Sequence, residues 1–214
     1  MIKIKKLRRI PGILYIFLIY QYYSFVGLLS ILFIKTIYGP QFSFSSMPKI
    51  WGGLVVKILG GGSITIGKNA HLVSEAKRSF ITLFSKIQLT VYASGSIKLG
   101  DNVALNGTVI TSKKSISIGN GSMIAPNVII VDSDFHQTWP PGSRFVSDTS
   151  EYDEAIRIGN NVWIGMNSLV LKGSIIGDNS IIAAGSVVTG SIPSNCIAAG
   201  SPAKPIKYFK TNNA

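Results

Sequence analysis

A chain of 214 residues, 46% of them hydrophobic, is long and apolar enough for one domain with an appendage, which excludes a disordered protein. Its formal net charge of +12 comes without a basic face that carries aromatic or groove-reading elements. We therefore expect no nucleic-acid partner and attribute the charge to anionic lipid or a phosphate-bearing cofactor. The single cysteine, Cys196, cannot form an internal disulfide and no cleavage site is recognisable, so we expect cytosolic chemistry.

The first predicted element is an uncharged run of 22 residues from Ile13 to Ile34. As a helix it would be about 33 Å long, which is enough to cross a bilayer. Pro11 suits the start of a helix, and five basic residues precede the run: Lys3, Lys5, Lys6, Arg8 and Arg9. We therefore predict contact with a membrane surface through this N-terminal arm.

Small and polar residues recur at every third position within the same run, at Gln21, Ser24, Gly27 and Ser30. Such a stripe lets a helix pack closely against another element. A helix buried in an oligomer is therefore the alternative to a helix in contact with lipid.

From about Ile64 onward, short apolar steps alternate with Gly, Asn, Ser and Asp. Aliphatic residues return at unbroken steps of six at Ile158, Ile164, Val170, Ile176, Ile182 and Val188, and in the same register at Ile118, Ile124 and Ile130. Neither a helix nor an amphipathic strand has this period. Short flat segments that close a three-sided coil do have it, because each coil then pairs its backbone with the next. The sequence predicts an all-β solenoid.

The block "IGNNVWIG … IGDNSIIAAGSVVTGSIPSNCIAAGSPAKPIK" resembles the hexapeptide-repeat acyltransferases, and most of all the sugar O-acetyltransferases. The resemblance covers roughly residues 64–207 and implies a left-handed parallel β-helix. Its handedness comes from the resemblance alone, since crossovers are in general right-handed. We divide the chain into a membrane-associated helical arm (1–60), a β-helix (61–207) with an extruded loop (132–157), and a tail (208–214).

The loop begins with "DSDFHQTWPP", where the six-residue register is lost, and it holds six of the nine acidic residues of the chain. Long loops on a rigid scaffold usually have a function, and Pro140 and Pro141 stiffen this one. An alcohol needs a base to become a nucleophile, and imidazole, with an ordinary pKa near ~6.5, can be that base. His136 follows "IAPNV" as the catalytic histidine does in the sugar acetyltransferases, so the resemblance implies that His136 is the base in a ternary complex.

Three residues are candidates for the carbohydrate acceptor. Asp134 either orients His136, binds a sugar hydroxyl or is simply solvated. Trp139 either stacks on a sugar ring or packs within the loop. Asn106 lies on a rung where family members place an acceptor-binding asparagine, although the register there has slipped by one residue.

The resemblance also implies that acetyl-CoA, the co-substrate, lies along the late coils with its phosphates near basic residues. The matching positions are Trp163, Gly165, Met166, Ala184, Gly185, Thr189, Lys204 and Lys207. Gly190 departs from the lysine that sugar acetyltransferases often carry there. With only His71 and His136, the chain cannot supply a three-histidine zinc site, so we expect no metal.

Together these features predict an acetyl-CoA-dependent O-acetyltransferase that acts on a surface glycan or its lipid-linked precursor. N-acylation of an amino sugar or small amine, and a non-catalytic scaffold, are the alternatives. The resemblance implies a homotrimer with sites between subunits. Because coenzyme A thioesters are cytosolic and basic segments stay inside, we expect the arm to be surface-lying or re-entrant on the cytoplasmic face of the inner membrane.

Overall fold

The computed structural model describes residues 10–77, 79, 81–146 and 148–210. The chain starts with helix α1, Ile10–Tyr38, which leads into a 3-10 turn, Gly39–Gln41. A second 3-10 turn is Pro141–Ser143. The strands, in chain order, are β1 Phe42–Phe44, β2 Lys49–Trp51, β3 Val55–Leu59, β4 Ser63–Ile66, β5 His71–Val73, β6 Gln88–Tyr92, β7 Ser96–Leu99, β8 Ala104–Asn106, β9 Val109–Ser112, β10 Ile116–Ile118, β11 Met123–Ile124, β12 Ile129–Val131, β13 Ile156–Ile158, β14 Trp163–Ile164, β15 Leu169–Val170, β16 Ile175–Ile176, β17 Ile181–Ile182, β18 Val187–Val188, β19 Ser191–Ile192, β20 Cys196–Gly200 and β21 Ala203–Tyr208.

Successive strands visit three sheets in turn. The first sheet has the order β1-β4-β7-β10-β13-β16-β19, the second β2-β5-β8-β11-β14-β17-β20-β21, and the third β18-β15-β12-β9-β6-β3. Pairing is parallel throughout, except between β20 and β21. Three strands therefore make one coil, and we number the coils from coil 1 (β1–β3) to coil 7 (β19 and β20). The predicted solenoid is confirmed as a parallel β-helix with an N-terminal helix.

The aliphatic residues at steps of six form the core of this β-helix. Ile118, Ile158, Ile176 and Ile192 pair in one row of the first sheet, and all are buried. Asparagines at the corners of the coils adopt the left-handed conformation that this short polar side chain tolerates: Asn69, Asn102, Asn127, Asn161, Asn167, Asn179 and Asn195. The period of six thus sets both the buried position and the corner of each segment.

Helix α1 crosses the N-terminal end of coil 1. It contacts β1 and β2 and bonds to residues in or beside the first strand of each sheet. These hydrogen bonds run from Lys35 Nζ to Phe42 O in β1 (2.7 Å), from Gly52 N, which follows β2, to Tyr23 O (2.9 Å), from Leu54 N, which precedes β3, to Ser30 Oγ (3.0 Å) and from Tyr38 Oη to Val56 O in β3 (3.2 Å). Coil 1 has no preceding coil with which to pair, so the helix supplies partners for its backbone. The β-helix consequently starts at Phe42, and residues 42–60, which we had assigned to the arm, form the first coil.

The two faces of α1 differ in an unusual way. The predicted stripe of small residues does allow close packing: Gly27 is buried and Ser30 is bonded, but the element they pack against is coil 1 of the same chain. The opposite face exposes large apolar side chains such as Phe25, Leu29 and Phe33. In the described part of the chain, α1 is long and apolar enough to cross a membrane by length and composition. The predicted basic cluster, Lys3 to Arg9, lies outside the described residues.

Gly27 permits the contact between helix and coil. A Cβ atom at this position would lie 2.7 Å from Ile50 Cγ2 and 3.0 Å from Ile50 O. We expect Gly27→Leu to push the helix off coil 1 and to lower the free energy of unfolding by about 1–3 kcal/mol, the usual cost of overpacking. Leu29→Ala, at a side chain that is 51% exposed, is the control and should leave thermal unfolding almost unchanged. Equal melting temperatures for the two variants would contradict this packing.

Candidate active site

A loop leaves the β-helix after β12 and returns at β13, at the corner between the third and the first sheet, which we call the loop corner. Asp132 fixes its departure. The carboxylate is buried and accepts hydrogen bonds from Ser112 Oγ (2.7 Å), Lys113 N (2.7 Å) and Lys114 N (3.1 Å). Burial raises the pKa of Asp132, and these three hydrogen bonds oppose the rise. Asp132 is therefore an anchor of the loop.

The return of the loop is fixed by the same two lysines. Asp153 is buried, and its carboxylate accepts a hydrogen bond from Thr149 Oγ1 (3.1 Å) and lies 3.8 Å from Lys113 Nζ. Lys113 Nζ also donates to Thr149 Oγ1 (2.6 Å), and Lys114 Nζ donates to the carbonyl oxygen of Asp153 (2.9 Å). Both ends of the loop are thus tied to the corner that follows β9.

His136 is exposed and held through one ring nitrogen. Its Nδ1 lies 2.7 Å from the carbonyl oxygen of Arg144, which can only accept a hydrogen bond. Nδ1 is therefore the protonated nitrogen, and Nε2 carries the lone pair. An imidazole in this tautomer is oriented to accept a proton at Nε2. No sequence pattern indicated that Arg144, eight residues away, would set the tautomer.

Phe135, the residue before the histidine, is itself held in place by several contacts. The amide of Phe135 donates to Ser133 Oγ (2.9 Å), and its ring packs edge-on against Tyr92 with centroids 5.9 Å apart. Lys113 Nζ lies 5.9 Å from the centroid of the same ring. Phe135 was missed by the sequence reasoning, since its partners come from β6 and from the corner after β9, far away along the chain.

Asp134 and Trp139 lie on the same loop as the histidine. Asp134 Oδ2 forms an ion pair with Lys172 Nζ (2.6 Å), while the contact recorded for the ring of His136 is to Arg144. Of the roles considered for Asp134, orientation of the histidine therefore has no support in this geometry. The indole of Trp139 is 75% exposed, so it is open to a ligand or a partner and is not packed within the loop.

Asn106 is the last residue of β8 and lies at a different corner, the one between the second and the third sheet. Its Nδ2 donates to Ser79 Oγ (3.4 Å), whereas Oδ1 is buried without a hydrogen-bond partner among the residues that the structure describes. A buried amide oxygen in this condition is costly unless a further donor reaches it. A hydroxyl group of a ligand would be such a donor.

A groove of about 260 Å³ lies at this second corner, which we call the groove corner. It brings together four of the residues predicted for coenzyme A: Trp163, Gly165, Met166 and Ala184. A Cβ on Gly165 would lie 2.5 Å from Ala184 N, so coil stacking alone already requires glycine there. Ile81, which no sequence pattern indicated, also lines the groove.

The other residues predicted to bind coenzyme A lie in two different places on the β-helix. Lys207 pairs with Ile197, at the end of the row of the second sheet that contains Trp163 and Ile181, and Lys204 pairs with Ala199. Both lysines are exposed, and Gly185 follows Ala184 with a φ of 72°. Thr189, in contrast, follows β18 and is exposed at the loop corner, as His136 is.

Comparison with known proteins identifies the family to which the chain belongs. The family model "Bacterial transferase hexapeptide (six repeats)" matches residues 155–190. The "Putative lipopolysaccharide biosynthesis O-acetyl transferase WbbJ" of Escherichia coli K12 is 37% identical over 158 residues, which are 71% of this chain and 75% of that protein. The chain belongs to the hexapeptide-repeat acyltransferases. It is therefore an acyltransferase whose fold is the left-handed parallel β-helix.

Two further proteins resemble the chain, one in sequence and one in fold. The galactoside O-acetyltransferase of Escherichia coli K12 is 38% identical over 125 residues, 56% of this chain and 59% of that protein. The structure of AntD, an N-acyltransferase from Bacillus cereus in complex with dTDP and 3-hydroxybutyryl-CoA, superposes with a TM-score of 0.61 at 18% identity and covers 84% of this chain and 88% of that one. At this identity AntD supports the fold alone.

Proposed function

We propose that this hexapeptide-repeat enzyme transfers the acetyl group of acetyl-CoA to a hydroxyl group of a carbohydrate, in a surface polysaccharide or its lipid-linked precursor. The observation that carries the proposal is the anchored His136 with Nδ1 bonded to Arg144 O and Nε2 left to accept a proton. Relatives named as lipopolysaccharide and galactoside O-acetyltransferases support the choice of acceptor.

The reaction follows from this tautomer. Nε2 of His136 takes the proton of the acceptor hydroxyl while the oxygen forms a bond to the thioester carbonyl carbon. Collapse of the tetrahedral intermediate breaks the carbon–sulfur bond, and the imidazolium returns the proton to the leaving thiolate. The acceptor thus gains an ester and coenzyme A leaves as the thiol, without a covalent acyl-enzyme. Asp134 and Trp139, on the same loop, are available to contact the sugar.

The donor side of the proposal uses the groove corner. The pantetheine arm would lie against Trp163, Gly165, Met166 and Ala184, where small side chains permit close approach, and the phosphates would meet Lys204 and Lys207 at the end of the second sheet. The groove is lined almost entirely by apolar atoms, which suits the arm rather than the phosphates. Removing the solvent from the thioester there strengthens the electrostatics of the transfer.

The site requires a second copy of the chain. His136 lies at the loop corner and the groove at the groove corner, and these are separate edges of a three-sided coil. A ring of three chains can place the loop corner of one subunit against the groove corner of the next. We therefore include the homotrimer in the proposal, with Thr189 of the loop corner facing the same coenzyme as the groove residues of the neighbour.

Replacing the base tests the mechanism. We expect His136→Ala to lower kcat by about 10²- to 10⁴-fold, the usual contribution of general base catalysis. His71→Ala, which removes the other histidine of the chain, should keep full activity. Product analysis by mass spectrometry with hydroxyl and amine acceptors should show an ester. Full activity of His136→Ala on every competent acceptor would disprove the assignment, and an amide product would favour N-acylation.

Mixed trimers test the shared site. Ala184→Trp would fill the groove at an exposed position, so trimers of this variant alone, and of His136→Ala alone, should be inactive. Random co-assembly of the two variants pairs an intact loop with an intact groove at about one interface in four, so about a quarter of the wild-type activity should return. If both elements acted within one chain, no mixture would regain activity.

We also propose that the enzyme works at the cytoplasmic face of the membrane, with α1 lying along the surface. A helix that is bonded to residues in or beside β1, β2 and β3 cannot turn to span the bilayer unless the β-helix moves with it. The exposed apolar face of α1 supports contact with lipid. The supply of coenzyme A thioesters supports the cytosolic side.

Protease protection decides this placement. In intact spheroplasts, added protease should leave the β-helix uncut. The β-helix should be degraded only after the spheroplasts are lysed. The intact chain is needed, because a truncation at Met47 would also remove β1 and the helix that closes coil 1. Cleavage in unlysed spheroplasts, or full solubility without detergent, would contradict the placement.

A further inference from the structure

Among the described residues, the excess of positive charge lies towards the N-terminal end of the β-helix. The first 100 residues hold 13 of the 21 basic residues and one of the nine acidic residues, Glu75, so they account for the whole formal charge of +12. Residues 101–214 hold eight of each sign. Seven of the 13 basic residues belong to the described part of the chain. Because the coils follow one another along the axis, these seven, with one acidic residue among them, make the N-terminal end basic, and the rest of the β-helix is neutral in sum.

Lysines of coils 1 to 3 point into solvent around this end. They are Lys49, Lys57, Lys68, Lys77, Lys86 and Lys98, and each is exposed. Within the described ranges, the ion pairs of the chain involve Lys113 and Lys172 of the later coils instead. The lysines near the N-terminal end therefore keep their charge for an anionic partner.

The outer face of α1 is apolar, and Lys49 and Lys77 lie beside the helix. A surface helix of a soluble protein turns its apolar stripe inward and its polar residues outward. In α1, Gly27, Ser30, Lys35 and the buried Ile31 and Ile34 face coil 1, yet most of the large apolar side chains are exposed. The exposed ones are Leu14, Tyr15, Ile16, Phe17, Leu18, Tyr22, Phe25, Leu28, Leu29, Leu32, Phe33 and Ile37. An apolar patch of this size needs a partner that excludes water.

A groove of about 450 Å³ joins the helix to the lysines. It runs between α1 and β2, with Gln21 and Lys49 on its polar side and Phe25, Leu28 and Met47 on its apolar side. A ligand that fits both sides carries an anionic head and a hydrocarbon tail. Phospholipid has this chemistry, with a phosphodiester for Lys49 and acyl chains for the apolar wall.

We propose that the N-terminal end of the β-helix docks on a bilayer that contains anionic phospholipid. The outer face of α1 lies among the acyl chains, the lysines of coils 1 to 3 contact phosphates, and the groove at Lys49 holds one headgroup. A second copy of the chain would cover the apolar face, but it would bring the same positive charge to the surrounding lysines. The proposal deepens the membrane placement given above and rests on it.

Docking in this orientation sets the height of the active site. Adjacent coils are about 4.8 Å apart, and the loop with His136 leaves coil 4, three steps above coil 1. The base is thus held about 15 Å above the lipid-facing end. Acceptors that suit this height are glycans attached to lipid whose reactive hydroxyl extends beyond the headgroups.

The three tryptophans of the chain report on this orientation, since Trp51 lines the groove at coil 1 while Trp139 and Trp163 belong to the loop and to coil 5. Full-length protein is reconstituted with vesicles of phosphatidylglycerol and phosphatidylcholine that carry brominated acyl chains. The variant Trp139→Phe/Trp163→Phe, which keeps Trp51, should be quenched. The variant Trp51→Phe/Trp139→Phe, which keeps Trp163, should not. Quenching of Trp163, or none of Trp51, would overturn the proposal, and the latter result is expected if α1 packs between subunits.

Charge reversal gives an independent test that does not depend on tryptophan variants. Lys57→Glu/Lys68→Glu should weaken sedimentation with phosphatidylglycerol vesicles by about tenfold or more, and binding to phosphatidylcholine alone should be weak for all proteins. Arg157→Glu/Lys210→Glu makes the same change in net charge beyond coil 3 and should bind like wild type. An equal loss of vesicle binding in the two double variants would overturn the proposal. Acetylation of a water-soluble sugar should be unchanged in Lys57→Glu/Lys68→Glu, so failure of the docking model is separable from failure of the proposed chemistry.

Discussion

Backbone pairing between successive coils is the interaction on which this molecule depends. Each short strand lies between the strand one coil below and the strand one coil above, so its N–H and C=O groups are satisfied only while the stack continues. At coil 1 the stack has no neighbour below, and an open strand edge would invite association with other chains. Helix α1 covers this end by bonding to residues in or beside β1, β2 and β3. Gly27, Ser30, Ile31 and Ile34 are used for that contact, and most of the other large apolar residues of the helix are left on the outside.

The same pairing explains how an extruded loop can hold His136, which we propose as the base, in a fixed position. Across the insertion the register does not slip, since Ile118 still pairs with Ile158 and Ile130 with Val170. The loop therefore leaves and re-enters a rigid wall, and Asp132 and Asp153 tie its two ends to the corner after β9. A base held in this way loses little entropy when the acceptor binds, which is the advantage of a preorganised site.

Function is distributed along and around the coil. In our proposal, the charged and apolar end meets the membrane, the base stands near the middle, and the basic residues suited to coenzyme phosphates lie at the far end. Around the coil, His136 and the groove occupy different corners, which is why we propose that the complete site forms in an assembly. A solenoid suits this arrangement because each coil contacts only its neighbours, which lets the corners vary while the core stays unchanged.

The sequence by itself determined the β-helix from coil 2 onward and the place of the loop, and together with the family resemblance it led to the proposal of His136 as the base. This was possible because, in a coil with six residues per side, local spacing fixes which side chain is buried. Coil 1 escaped prediction because its segments, "FSF", "KIW" and "VVKIL", are joined by connections that break the period. Only the tertiary structure decided that Asp134 pairs with Lys172, that Arg144 sets the tautomer of His136, and that the stripe on α1 packs on its own chain. These contacts join residues whose separation along the chain follows no repeat, so their geometry arises only when the chain has folded.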